Sequence, residues 1–231
     1  MKKILFTHSY FLRFDPKQWQ QGQPYAPLGT MYAASWMREN GYDVSLFDTM
    51  FCHNPSEIEK ALDENKPDVF VIYDDGFNYL TKMCLTNMRD AAFEMISVAK
   101  QKGCVVIVSS SDSTDNFKKY LNKGADFVII GEGEQTLLEL VNSFNASQKN
   151  YSSIPGLAYK EGTEIKRSLH REVIKDLDCM PLPAWDLVDL EPYRKSWLSH
   201  AGYFSINLAT TRGCPYKCNW CAKPIYGNRY N

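Results

Sequence analysis

Three cysteines near the C-terminal end have the types and spacing to do chemistry, in the run Thr211-Arg212-Gly213-Cys214-Pro215-Tyr216-Lys217-Cys218-Asn219-Trp220-Cys221. A thiolate is a nucleophile and a soft metal ligand. The pattern C-x3-C-x2-C puts three thiolates on one short loop. Three can take three irons of a [4Fe–4S] cluster and leave the fourth iron open. An open metal position marks a catalytic site rather than a closed structural one. Gly213 and Pro215 suit a backbone wrapped around a bulky cluster, because glycine tolerates unusual φ and proline fixes it. Two other readings use the same residues. Half of a zinc knuckle would need a second cysteine pair, whereas Cys52, Cys84, Cys104 and Cys179 stand singly. A thioredoxin-type pair would sit near the start of a βαβ unit and would leave Cys214 unexplained. Seven cysteines, an odd number, with three clustered and no secretion signal, predict a reducing cytoplasm and a metal site rather than a disulfide framework.

The elements that must position this loop follow from the pattern upstream. The chain has 231 residues, 44% of them hydrophobic, which suits a globular protein of one full domain and a remainder. A net charge of −1 offers no basic excess for nucleic acid. No apolar run approaches the roughly 20 residues that span a bilayer. Over residues 1–145, strand and helix signals alternate. Apolar, β-branched runs at 3–8, 43–48, 68–73, 104–108 and 126–130 predict five strands. Helical periodicity at 27–40, 55–64, 84–102, around 114–122, and from the Gly-Glu-Gly-Glu at 131–134 through Phe144 follows them in turn. Near-continuous apolar strands separated by helices predict an α/β, doubly wound, parallel five-stranded domain, Rossmann-like or flavodoxin-like. Ligands of such sheets bind at the C-terminal strand ends. The loops there are 8–14, 48–53, 74–79, 109–112 and 131–134, rich in Ser, Asp and Gly. Asp74, Ser109, Ser110, Gly131, Glu132 and Gly133 are the candidate contacts, although turns and helix caps use the same residue types. His8 and His53 read as packing near strand ends rather than metal ligands. Tyr10, Phe11, Phe14 and Trp19 form an aromatic loop that reads as core or lid packing.

From residue 146 the pattern changes. A polar linker precedes a hairpin signal over 154–168 with its turn at Glu161-Gly162, and a Pro-rich irregular connector follows over 176–193. Phe204-Ser-Ile-Asn-Leu-Ala-Thr-Thr211 then predicts a new strand leading directly into the cysteines. The predicted organisation is a first domain at 1–145, a hairpin and connector at 146–200, and the start of a further domain at 201–231.

The cysteine run, with aromatic Trp220 before the third cysteine and Leu208-Ala-Thr-Thr-Arg-Gly-Cys-Pro215 leading in, resembles the signature of the radical S-adenosylmethionine (SAM) superfamily. The Pro27-Leu28-Gly29 helix start, the Gly-Glu-Gly-Glu and the connector Asp176-Leu-Asp-x-x-Pro-x-Pro-Ala-Trp-Asp-Leu187 resemble its cobalamin-binding subfamily. The resemblance implies a B12-binding Rossmann-like domain facing a (β/α) barrel. It implies that Cys214, Cys218 and Cys221 hold a [4Fe–4S] cluster, with Trp220 in the cluster and SAM loop, and that Asp74, Ser109, Ser110, Gly131, Glu132 and Gly133 line cobalamin. SAM would bind the open iron and be cleaved reductively to a 5′-deoxyadenosyl radical, for methyl transfer or another transformation of an unknown substrate. An electron donor such as flavodoxin or ferredoxin would be the partner. The motif Asp-x-His-x-x-Gly, which supplies an axial histidine in many B12 domains, is absent; none of His8, His53, His170 and His200 sits in it. Since only the first strand and cluster loop of a barrel are present, the 231-residue chain reads as a fragment, expected to be inactive alone. The rival from another class is a non-catalytic flavodoxin-like module with a small zinc site.

Overall fold

A computed structural model of the chain describes residues 2–74, 85–145 and 150–213. Five parallel strands form the centre: β1 (Lys3–Thr7), β2 (Asp43–Phe47), β3 (Val69–Tyr73), β4 (Val105–Ser109) and β5 (Phe127–Ile129). They lie in the order β2-β1-β3-β4-β5, the flavodoxin-like arrangement. Helices α1 (Pro16–Gln21) and α2 (Leu28–Glu39) connect β1 to β2, and α3 (Ile58–Asn65) connects β2 to β3. After them come α4 (Leu85–Gln101), α5 (Ser111–Asn122) and α6 (Glu134–Ser143).

Side chains alternate across each strand and build two cores. Leu5, Phe70, Ile72, Val106 and Val108 pack with Ile58, Leu62, Met95 and Tyr120 from α3, α4 and α5. Ile4, Phe6, Val69, Val71 and Ile107 pack with Ala33, Met37, Leu137 and Leu140 from α2 and α6. Both faces are covered, as continuous apolar strands require.

The layout differs from the expectation in three places. The hairpin, expected outside the sheet, extends it: β6 (Leu157–Glu161) pairs antiparallel with β5, and β7 (Glu164–Arg167) pairs with β6, giving seven strands. A bare β5 edge would leave its ladder groups unpaired, and β6 satisfies them while burying Leu157, Ala158 and Tyr159. Residues 204–211, expected as a strand, form none, because no neighbour pairs with them among the described residues. Helix α7 (Glu191–Ala201) begins inside the stretch read as irregular connector, with Pro192 in its first turn, where proline costs no hydrogen bond.

Helix α7 is fastened to the first domain. Its Trp197 Nε1 donates to Pro24 O at 2.7 Å, and Ser196 Oγ donates to Gly22 O at 2.8 Å. Tyr193 joins a third apolar cluster with Tyr10, Leu12, Leu28, Met31 and Val188. Among the described residues no helix is long and apolar enough to cross a membrane.

Candidate functional site

Parallel strands deliver their C-terminal ends to one edge, and the polar residues expected there do converge. Chain order reverses between β1 and β3, which is where the ligand crevice of such a sheet opens. Three polar networks occupy this edge.

The first ties β1 to β2. Asp48 accepts hydrogen bonds from Met50 N at 3.0 Å and Tyr193 Oη at 2.6 Å, and His8 Nε2 lies 2.7 Å from its Oδ1. Burial pushes the Asp48 carboxyl up, but His8, Tyr193 and the Met50 amide outweigh it, and the group sits below its ordinary value. His8 is buried with its ring against Asp48 and Thr49, as the packing reading expected.

The second ties β1 to β3 and β4. Ser9 donates from its backbone N at 2.7 Å and from Oγ at 2.9 Å to Asp74, while Asp74 N donates to Ser109 O at 2.9 Å. Burial pushes the Asp74 carboxyl up to about 6 against those hydrogen bonds. Alongside, Asp112 on α5 accepts from Arg89 Nε at 2.7 Å and from Tyr120 Oη at 2.8 Å.

The third network lies after β5 and reaches the approach to the cysteines. Glu132 accepts from Ile174 N at 2.6 Å and from Arg212 Nη1 at 2.6 Å, and Glu134 accepts from Arg212 Nη2 at 2.7 Å. All three side chains are buried, Arg212 at 8% and the glutamates at 4% and 3% exposure. Burial and the neighbouring Glu134 raise the Glu132 carboxyl, while the two carboxylates hold the Arg212 guanidinium charged despite its burial. The second oxygen of Glu134, Oε2, is buried and has no hydrogen-bond partner among the described residues. A cavity of about 290 Å³ adjoins this network, lined in part by Tyr32, Met180, Leu182, Thr210, Thr211 and Arg212.

The candidate residues fall into these networks unequally. Asp74, Ser109 and Gly133 come together: a Cβ at Gly133 would stand 2.7 Å from Tyr73 Oη and 3.0 Å from Ser109 Oγ, so the close approach of Tyr73 requires glycine. Ser110 caps α5 by accepting from Ser113 N at 2.8 Å. Gly131 makes the turn out of β5 with φ 88°. Glu132 faces the connector and Arg212. Cys214, Cys218, Cys221 and Trp220 lie outside the described residues, as does Cys84. Cys52, Cys104 and Cys179 are free thiols, and burial raises Cys52 to about 12, far from a ready metal ligand. Of the aromatic loop, Tyr10 and Phe11 are buried while Trp19 is 40% exposed under Arg13.

Sequence reading left two contributors without a role, Arg212 and Tyr193, and placed Glu134 only in the strand-end loop 131–134. Each acts through a partner more than 70 positions away, as in Arg212 with Glu134 and Tyr193 with Asp48, and no local pattern announces such a pair.

No family model matches the chain. It is 28% identical over 210 residues to an uncharacterized methyltransferase of Pyrococcus horikoshii, covering 88% of this chain and 42% of that protein. It is 25% identical over 209 residues to the anaerobic magnesium-protoporphyrin IX monomethyl ester cyclase of Synechocystis, covering 88% and 39%. The chain therefore spans about two fifths of these relatives. Among solved structures it superposes on the cobalamin-dependent SAM radical enzyme OxsB with aqua-cobalamin bound, with TM-score 0.71, 21% identity, and coverage of 96% of this chain and 28% of that one. It also superposes on the radical SAM methyltransferase TsrM of Kitasatospora setae with cobalamin and a [4Fe–4S] cluster bound, with TM-score 0.69, 18% identity, and coverage of 99% and 44%. The resemblance to cobalamin-binding radical SAM enzymes read from the residues is borne out: the fold neighbours are enzymes of that kind, and the relatives are a methyltransferase and a cyclase.

Proposed function

We propose that this chain is the cofactor-binding front of a cobalamin-dependent radical SAM enzyme that cleaves S-adenosylmethionine reductively to drive methyl transfer or another radical transformation. One observation carries the reading: the segment entering the cysteine motif is bonded, through Arg212, to the strand-end loop of a flavodoxin-like sheet. A zinc-bearing sensor gives no reason for that connection.

The residues fit a corrin ring at the sheet edge. Its rim carries carboxamides that donate and accept hydrogen bonds, and Glu134 Oε2 is a buried acceptor lacking a donor among the described residues. Asp74, Ser109 and the backbone of Gly131 and Gly133 lie along the same edge. The His8 ring already has Asp48 and Thr49 as neighbours, which supports binding without a histidine ligand from the protein. Cys214, Cys218 and Cys221 would hold the [4Fe–4S] cluster, with Trp220 beside it. When bound, the cluster supplies the electron that cleaves S-adenosylmethionine and cobalamin supplies a methyl carrier. The chain's own residues bind and orient: the sheet edge presents acceptors, Tyr73 packs close against Gly133, and Tyr193 holds Asp48 by its hydroxyl. A low-potential electron donor such as flavodoxin or ferredoxin and a reducing compartment follow from the same reading.

Anaerobic reconstitution with iron and sulfide tests the cluster. Broad absorption near 400 nm and a Cys218→Ala variant with sharply reduced iron and sulfide are expected; full iron in that variant would sink the assignment. Gel filtration with hydroxocobalamin tests the corrin. Co-elution at micromolar concentration is expected, and free corrin alone would argue for a fold without this cofactor. The 231-residue chain, spanning two fifths of its relatives, is expected to form no 5′-deoxyadenosine in multiple turnovers with SAM and dithionite.

A further inference from the structure

Among the described residues the segment 203–213 is held by a ring contact of Tyr203 with Trp197, by packing of Ala209 and by a few hydrogen bonds. Asn207 Nδ2 donates to Ala26 O at 3.1 Å, and Tyr32 Oη reaches Ala209 O only at 3.5 Å. Tyr203, Phe204, Ile206 and Leu208 are exposed. Arg212 is the exception: it is buried, and its two terminal nitrogens each bond a different carboxylate. Its guanidinium also stands 5.8 Å from the centre of the Tyr32 ring.

Stability alone does not account for this arrangement. Burying three charges costs desolvation that their attraction only partly returns, and apolar replacements of such clusters are often as stable. Two carboxyl groups share one guanidinium, and Glu134 Oε2 has no hydrogen-bond partner among the described residues. What such a cluster does supply is geometry. A planar guanidinium with two forked nitrogens has one seat between two fixed carboxylates, whereas an ammonium has many. The seats themselves are fixed. Glu134 starts α6, and Glu132 is also bonded by Ile174 N, so the connector and the cysteine approach meet on one side chain.

We infer that Arg212 is a positioning residue, a clamp between Glu132 and Glu134 that fixes the register of residues 205–213 on the C-terminal edge of the sheet. Gly213, with φ 82°, turns the chain immediately after the clamp. The clamp thereby sets where the cysteine motif leaves the first domain. That second consequence rests on the proposed function; the clamp does not.

Limited chymotrypsin digestion of the 231-residue chain separates the two. In Arg212→Lys, which keeps the charge but not the fork, cleavage after Leu208 is expected to be about tenfold faster than in the unaltered chain, while hydrogen exchange of β3 and β4 is unchanged. The same is expected of the double variant E132Q/E134Q. A cleavage rate in R212K within about twofold of the unaltered chain's would show that any cation serves there, and would overturn the clamp. Should β3 and β4 lose protection too, the triple variant R212Q/E132Q/E134Q, which removes all three buried charges, is read instead. Faster cleavage after Leu208 on an intact sheet supports the clamp, and an unchanged rate overturns it. A second measurement reads the motif. In chain reconstituted with iron and sulfide, release of iron to a chelator is expected to be about fivefold faster in R212K, since a loosened register exposes local structure more often. Equal release rates would overturn the link from clamp to motif. An unaltered chain that takes up no iron would overturn the proposed function and leave the cleavage result standing.

Discussion

Strand β3 and the segment 203–208 are built from similar residues and meet different fates. Val-Phe-Val-Ile-Tyr at 69–73 lies between β1 and β4 with every side chain at 7% exposure or less. Tyr203, Phe204, Ile206 and Leu208 show the same preference for extended structure, yet stand 57%, 36%, 49% and 73% exposed. Within 203–208, the odd-numbered Ser205 and Asn207 lean on the first domain while Phe204, Ile206 and Leu208 face out, so the period of two survives without a sheet. Residue type sets what a segment could become, and available ladder partners decide whether it does.

Truncation of one apolar side chain in each region gives the sharpest contrast. Phe70→Ala is expected to lower stability by about 3–5 kcal/mol, by removing apolar contacts from a closed core, whereas Leu208→Ala should stay within about 0.5 kcal/mol. Urea unfolding followed by circular dichroism measures both. Equal losses would break the contrast and mean that 203–208 is covered in solution.

A smaller effect separates the two sides of the sheet edge by pH. The Asp74 carboxyl is raised from 3.8 to about 6, so its contribution is full below pH 3.8 and lost as pH rises through 6. Asp48 is lowered, so its contribution is present above pH 3.8 and lost as pH falls through its folded value. In thermal melts, Asp74→Asn should remove the decline between pH 4 and 7, and Asp48→Asn should flatten the acid limb below pH 4. A D74N chain with the parent's pH profile would show that Asp74 is ionised freely in the fold.

The smallest expected effect is at the surface, where Arg38 and Asp186 pair at 2.6 Å with 39% and 63% exposure. Removing Arg38 should cost under about 1 kcal/mol, and less in high salt, even though the pair joins α2 to the connector. A loss several times larger would mean that the connector is held chiefly at this point rather than by Trp197 and Tyr193.

How much of this was legible depended on the range of the interaction. All five parallel strands and their following helices were readable, because Val69–Tyr73 and its counterparts carry their signal within a few residues. The helix start at Ser111 was missed by three positions, although the Ser110 cap that explains it is local. Helix α1 was missed inside a loop despite Asp15 and Pro16 at its start, because six residues are too few to show a period. The docking of β6 on β5 depends on an edge that exists only once the sheet is assembled. The cysteine pattern was fully legible as a motif, while its anchorage at Glu132 and Glu134 was not, since pairing Arg212 with residues about 80 positions earlier leaves no periodic trace.

Helix α7 and Arg212 together make a ruler of the chain between them. Gly202 ends a helix fastened through Trp197 and Ser196, and Arg212 sits in its double seat, so both ends of the span are pinned to the same rigid body. A trans peptide advances at most about 3.6 Å per residue, so each residue removed shortens the reach between the two pinned ends. Surface loops usually absorb insertions at small entropic cost. Here an added residue would bulge outward with both ends still seated, whereas successive deletions would in the end draw Arg212 from its carboxylates, so the stretch is expected to accept insertion more readily than shortening.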